Sequence, residues 1–157
     1  MVKSPEHERA DYGSVVEALT PASGSPQANA ALVTDSFVAF NRGDTEKLLA
    51  VAAPDLVMHF AELPEPLRGR VTWQQGFEMI WRAFPDLEAR IDDLVAAEDR
   101  VAVRVTFRGT HEGEFQGIPA SGRTIQYVSH EFYRVENGVI VEEWICSDMA
   151  SLLRQLS

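Results

Sequence analysis

The chain has 157 residues, 45% hydrophobic and 24% charged, with a net charge of -10 and a pI near 4.8. This is the composition of one globular domain, and the length suffices to bury a core without staples. The acidic balance argues against nucleic acid and against an anionic membrane surface as partners.

Residues 1–25 read as a flexible tail, and the polar, proline-broken run Thr20–Ser25 supports that reading. The domain, residues 26–157, opens with Ser25 as helix cap and Pro26 at the first helical position. Val33, Phe37, Val38 and Phe40 form the apolar stripe of a helix to about Asn41, ended by Gly43. Asp44 can cap a second short helix through Leu48, Leu49 and Ala52, stopped at Pro54. Leu56, Met58 and Phe60 alternate with Val57 and His59 as a strand, followed by a proline-rich loop. Thr72 and Gln75 have capping-box spacing for a third helix, with Phe77, Ile80, Trp81 and Phe84 on its apolar face and Pro85 at its end.

From Asp86 the pattern becomes strands: Leu87–Ala97, then Val101 to Phe107, a long loop over Gly109–Gly122, then Thr124–Val135 and Val139–Asp148 around Glu136-Asn137-Gly138. A short helix, Met149–Leu156, closes the chain. Helices followed by antiparallel strands make an α+β fold, a cone of about three N-terminal helices on a curved, mainly antiparallel sheet with a pocket inside. The chain lacks an apolar run of the roughly 20 residues that a bilayer span needs. It also lacks a signal-peptide core, and its one cysteine, Cys146, excludes an internal disulfide. The expected place is the cytoplasm.

Several strings, in order, resemble the SnoaL-like polyketide cyclases of the nuclear transport factor 2-like superfamily. They are Phe40-Asn41-Arg42-Gly43-Asp44, Phe84-Pro85-Asp86-Leu87 and Glu98-Asp99-Arg100-Val101-Ala102-Val103-Arg104. Further on come Gly109-Thr110-His111-Glu112-Gly113-Glu114-Phe115, Gly117-Ile118-Pro119 with Gly122-Arg123, and Arg134-Val135 with Gly138 and Glu142-Glu143-Trp144. The resemblance runs from about Gln27 to the C-terminus. It implies the cone, usually as a dimer, and a ring closure of aldol type by side-chain acid/base groups with no metal or organic cofactor. Close relatives include hydroxylation-associated proteins, isomerases and members without known activity, so the fold alone does not give the reaction.

The terminal hairpin carries the candidate chemistry. A three-residue turn pairs Val135 with Val139, Tyr133 with Val141, Glu131 with Glu143, Ser129 with Ile145 and Tyr127 with Ser147, all on one sheet face. This turn is preferred because glycine suits its bulge position; a two-residue Asn-Gly turn would move Glu143 to the His130 face. Glu131 and Glu143 facing each other in a pocket would split their pKa values into an acid and a base. The bland alternative is that both are solvated or paired with Arg104 or Arg108. The resemblance places the cyclases' catalytic aspartate at Ile145 and its histidine partner at Glu131. A slip of a few positions makes Asp148 and His130 the catalytic candidates, against plain roles as a helix cap and a packed or interface histidine. Tyr127, Ser129, Tyr133, Ile145, Phe37, His59 and Trp81 are the expected substrate-binding residues, the tyrosines as donors to a carbonyl oxygen. A buried aromatic is more often core than a ligand contact, and His59 could face the pocket mouth or solvent.

Trp144 and Phe132, on the outer face, would be exposed in a monomer, which predicts a homodimer through that face. Scattered histidines and the absence of short metal spacings argue against a metal site. Two functions follow: a cofactor-independent enzyme acting on a small hydrophobic polyketide-like carbonyl compound by cyclisation, isomerisation or hydration, or a non-catalytic binding or accessory protein using the same pocket. A dimer with a filled core is a third, purely structural reading.

Overall fold

In a computed structural model, residues 24–157 are described; the expected tail lies almost wholly outside them. The elements are α1 (Pro26–Asn41), α2 (Thr45–Ala50), β1 (Ala52–Phe60), β2 (Leu67–Arg68), α3 (Arg70–Ala83), β3 (Glu88–Ala97), β4 (Arg100–Thr110), β5 (Thr124–Glu136), β6 (Val139–Ser147) and α4 (Met149–Leu156). The sheet has six strands in the order β2-β1-β6-β5-β4-β3. All neighbours are antiparallel except β1 and β6, which run parallel, so the sheet is mixed. The described residues form four helices, not only the cone's three: α4, the closing helix, returns against β5 after the last strand.

Local chemistry sets the helix ends. Ser25 accepts from the Ala28 N–H at 3.1 Å to start α1. Its end is a Schellman turn: Gly43, at φ 64°, and Asp44 return their N–H groups to Phe40 and Ala39. Asp44 then caps α2 through the Lys47 N–H. Two expectations fail nearby. The second helix stops at Ala50, and the strand begins at Ala52 with Pro54 inside it, where the pairing with β6 is irregular and tolerates a missing N–H. The third helix starts at Arg70, with Gly69 at φ 94° as its cap, so Thr72 and Gln75 lie inside the first turns. The Gly69 amide is instead bonded to the Leu56 carbonyl.

Alternation decides the core. Val101, Val103, Val105 and Phe107 of β4, and Ile125, Tyr127, Ser129, Glu131, Tyr133 and Val135 of β5, point to the helix side. Phe40 of α1 packs against Phe77 of α3 and Phe107 of β4, at 5.8 and 6.0 Å between ring centres. Among the described residues, no helix is long and apolar enough to cross a membrane.

The β5–β6 register corrects the expected pairing. Glu136 pairs with Val139, leaving a two-residue turn in which Asn137 and Gly138 both have positive φ (50° and 76°), the type I′ geometry. Such a turn alone would have sent Glu143 outward. The ladder slips between Arg134 and Val135, however, and Val141 is the extra, unpaired residue of a bulge. Beyond it Tyr133 pairs with Glu143, Glu131 with Ile145 and Ser129 with Ser147. The face expected for Glu143 is kept, while its partner is Tyr133 and not Glu131.

Candidate active site

A cavity of about 540 Å3 opens between the sheet and α1, α3 and α4. Its walls are mainly apolar, with Phe37 and Phe40 from α1, Trp73 and Phe77 from α3, and Met58, Phe107 and Ile145 from the strands. Its polar wall is the inner face of the terminal hairpin: Tyr127, Glu131, Tyr133, Glu143 and Ser147. This size and lining suit a drug-sized hydrophobic molecule with few polar groups.

The two carboxyls differ in their surroundings. Glu131 is buried, and its Oε2 accepts the Tyr133 hydroxyl. Burial raises its pKa, and the hydroxyls of Tyr133 and Ser129 oppose that rise by favouring the anion. Glu143 is only 1% exposed, and its Oε1 has no hydrogen-bond partner. Burial, aided by the charge of Glu131, pushes its pKa up to about 8, and the Trp73 indole beside it works the other way. Both carboxyls are thus raised by burial, but unequally placed: Glu131 has a hydroxyl donor that favours its anion, and an oxygen of Glu143 has none. Burial, with the nearby Glu131 charge, also raises the Tyr127 and Tyr133 hydroxyls, so both remain donors. Among the described residues, no three His, Cys, Asp or Glu side chains converge as metal ligands.

Residues 30–156 match the model of the SnoaL-like polyketide cyclase family. The chain belongs to that family. Solved relatives agree. AclR of Streptomyces galilaeus, described as a candidate hydroxylase, is 31% identical with a TM-score of 0.77, over 84% of this chain and 82% of its own. IdmH of Streptomyces antibioticus, described as a candidate polyketide cyclase, is 36% identical with a TM-score of 0.73, over 82% and 97%. TsrD of Streptomyces laurentii is 28% identical with a TM-score of 0.75, over 83% and 96%. No curated protein matches the chain.

Within this SnoaL-like fold the remaining candidates scatter. Phe37 and Ile145 line the cavity, with Ser129 wholly buried behind the wall. Trp81 lies outside the cavity lining, half-buried between Phe40 and Phe77. His59 stands on the outer face because it alternates with inward Met58; it stacks on Trp144 at 5.2 Å and bonds Glu142 at 2.9 Å. His130 is exposed on the same outer face, and Asp148 caps α4 by accepting the Ser151 N–H. Geometry thus gathers Glu131 and Glu143 and leaves His130 and Asp148 away from the cavity. Arg104 is taken by Asp92 and Asp93, not by either glutamate. Trp144 is also less open than expected, since His59 covers one side and Arg100 sits 5.6 Å from its ring centre; Phe132 stays 52% exposed.

Trp73 and Ser147 line the cavity without having been among the expected substrate-binding residues. Trp73 lies four residues before Phe77 and eight before Trp81, a helical spacing that would have flagged it. Ser147 was expected on the inner face opposite Tyr127, and the register instead pairs it with Ser129.

Proposed function

We propose that this protein is an acid/base enzyme acting on a hydrophobic, polyketide-like carbonyl compound, by cyclisation, isomerisation or hydration. The observation that carries this reading is the unlike pair of buried carboxyls, Glu131 and Glu143, on the one polar wall of an apolar cavity. In this reading Glu131 removes a proton next to the substrate carbonyl. Glu143 gives its proton to the developing oxygen anion, with Tyr127 as a further donor. The enol so formed can attack a second carbonyl or, where the carbonyl is conjugated, take a proton back at the far carbon and shift the double bond. Hydration would use the same pair differently, Glu131 taking a proton from water as it adds to a conjugated double bond and Glu143 protonating the carbonyl oxygen. The two carboxyls supply both proton transfers, so the scheme calls on no further group. The protein would work in the cytoplasm as a homodimer joined through the Phe132 face.

A hydrophobic 1,3-diketone tests this through exchange of its α-protons for deuterium, followed by NMR. The native protein should catalyse the exchange. Glu131→Gln and Glu143→Gln should each slow it by about 100-fold or more while binding is kept. Exchange that survives both substitutions together overturns the reading. A second reading, a non-catalytic binding or accessory protein, is favoured by Ile145. That residue lines the cavity where we align the cyclases' aspartate, and it cannot move a proton. Binding without exchange in the native protein would support it.

A further inference from the structure

We propose that the cavity takes an elongated ligand, with its carbonyl head against the hairpin wall and an uncharged hydrocarbon tail leaving through a notch that Gly76 keeps open in the cavity mouth. The proposal rests on the reading above for the head of the ligand. The tail and the notch stand on separate observations.

The cavity is graded along its depth. Glu131, Glu143, Tyr127 and Tyr133 sit at its buried end. Its exposed rim is mainly apolar. Leu63 in the β1–β2 connection, Leu67 of β2 and Met79 of α3 line the cavity and are 44%, 37% and 56% exposed. The rim is continuous, since β2 leads through Gly69 into α3 and the two elements touch. Large apolar side chains left open together mark a surface that something covers. The cavity behind them says what: the far end of the molecule whose head lies inside. That end is uncharged. No lysine, arginine or histidine lines the cavity, and Glu62 on the rim repels an anion.

Gly76 lies in the interior of α3, four residues after Thr72 and three before Met79, and all three line the cavity. Those spacings share one helix face. Glycine is less favourable than alanine in a helix interior. Nothing local requires it here. Gly76 has no positive φ, and a Cβ would meet no atom within 4 Å. Gly113 is the contrast, where a Cβ would strike the Arg82 carbonyl. The open space beside Gly76 belongs to the cavity mouth, and a larger side chain would stand in it.

The test uses two hydrophobic 1,3-diketones that differ only in carrying an ethyl or an octyl tail. Their binding to the intact chain is measured by calorimetry in native protein, Gly76→Ala and Gly76→Leu. Native protein should bind the octyl compound about 100-fold more tightly than the ethyl compound. Gly76→Leu should reduce that preference by about 10-fold or more. Gly76→Ala should raise the urea midpoint of unfolding, as expected where glycine is kept for space and not for packing. A lower midpoint, a native protein that binds both tails alike, or a preference unchanged in Gly76→Leu each overturns the notch. Tail preference without α-proton exchange in the native protein upholds the notch and sinks the enzyme reading, and exchange without tail preference does the reverse.

Discussion

Glu143 stands directly across the β5–β6 ladder from Tyr133, whose hydroxyl is given to Glu131. The carboxyls therefore sit one pair apart on the wall, with the phenol bonded to Glu131 and an oxygen of Glu143 left without a partner. The consequences of these unlike surroundings can be measured.

The first concerns pH and stability. Glu143 rises from an ordinary 4.5 to about 8 in the folded protein. A raised carboxyl means the folded state holds a proton that the unfolded state has lost. Its contribution is full below the unfolded value, near 4.5, and is lost as pH climbs through about 8. Across that window stability should fall by up to about 1.4 kcal/mol per pH unit from this group. Urea unfolding at mildly acidic and mildly alkaline pH should show the fall in native protein and a much flatter profile in Glu143→Gln. Parallel profiles would refute the assignment.

Tyr133→Phe removes a donor that holds the Glu131 pKa down. The Glu131 midpoint should rise, and the acid limb of proton exchange should move to higher pH. The lost bond to a buried carboxylate should cost about 1–3 kcal/mol in chemical unfolding. An unshifted pH profile would count against Glu131 as the base.

Asn41 acts as a substitute strand at the sheet edge. Its amide donates to the Ala89 carbonyl and accepts the Ala89 N–H, both at 2.8 Å, tying the end of α1 to β3. Asn41→Ala should lower stability by about 1–2 kcal/mol, less than for a fully buried pair. Hydrogen exchange at the Ala89 amide should quicken more than exchange in β5, whereas uniform loss would point to a global effect.

Gly113 lets the long loop lie on the end of α3. A Cβ there would come within 2.2 Å of the Arg82 carbonyl oxygen, and the Gly113 amide already bonds the Ala83 carbonyl. Gly113→Ala must push the loop off the helix and with it Phe115, which lines the cavity. The expected result is a lower melting temperature and weaker binding of a hydrophobic dye such as ANS in the cavity. Unchanged values in both would show that the loop shifts freely.

Elements with a local cause were legible in the sequence. Ser25-Pro26, Gly43 and Asp44 mark helix ends because capping is settled within a few residues, and β4 and β5 show their inner faces by alternation. The same alternation put Glu131, Glu143, Tyr127 and Tyr133 on one face. What misled was equally physical. Thr72 and Gln75 have capping spacing, yet α3 starts earlier because Gly69 is held by a bond to Leu56, which no local pattern reveals.

The sequence alone determined which side chains could share the pocket wall, since a strand's period of two follows from backbone geometry. Only the tertiary structure decided how they meet. A tight Asn137-Gly138 turn and the bulge at Val141 compensate for each other, returning Glu143 to the inner face but one pair away from Glu131. It also sent His59 to the outer face and brought Trp73 beside Glu143, because those contacts come from pairing β1 with β6 and packing α3 on β1, far apart along the chain.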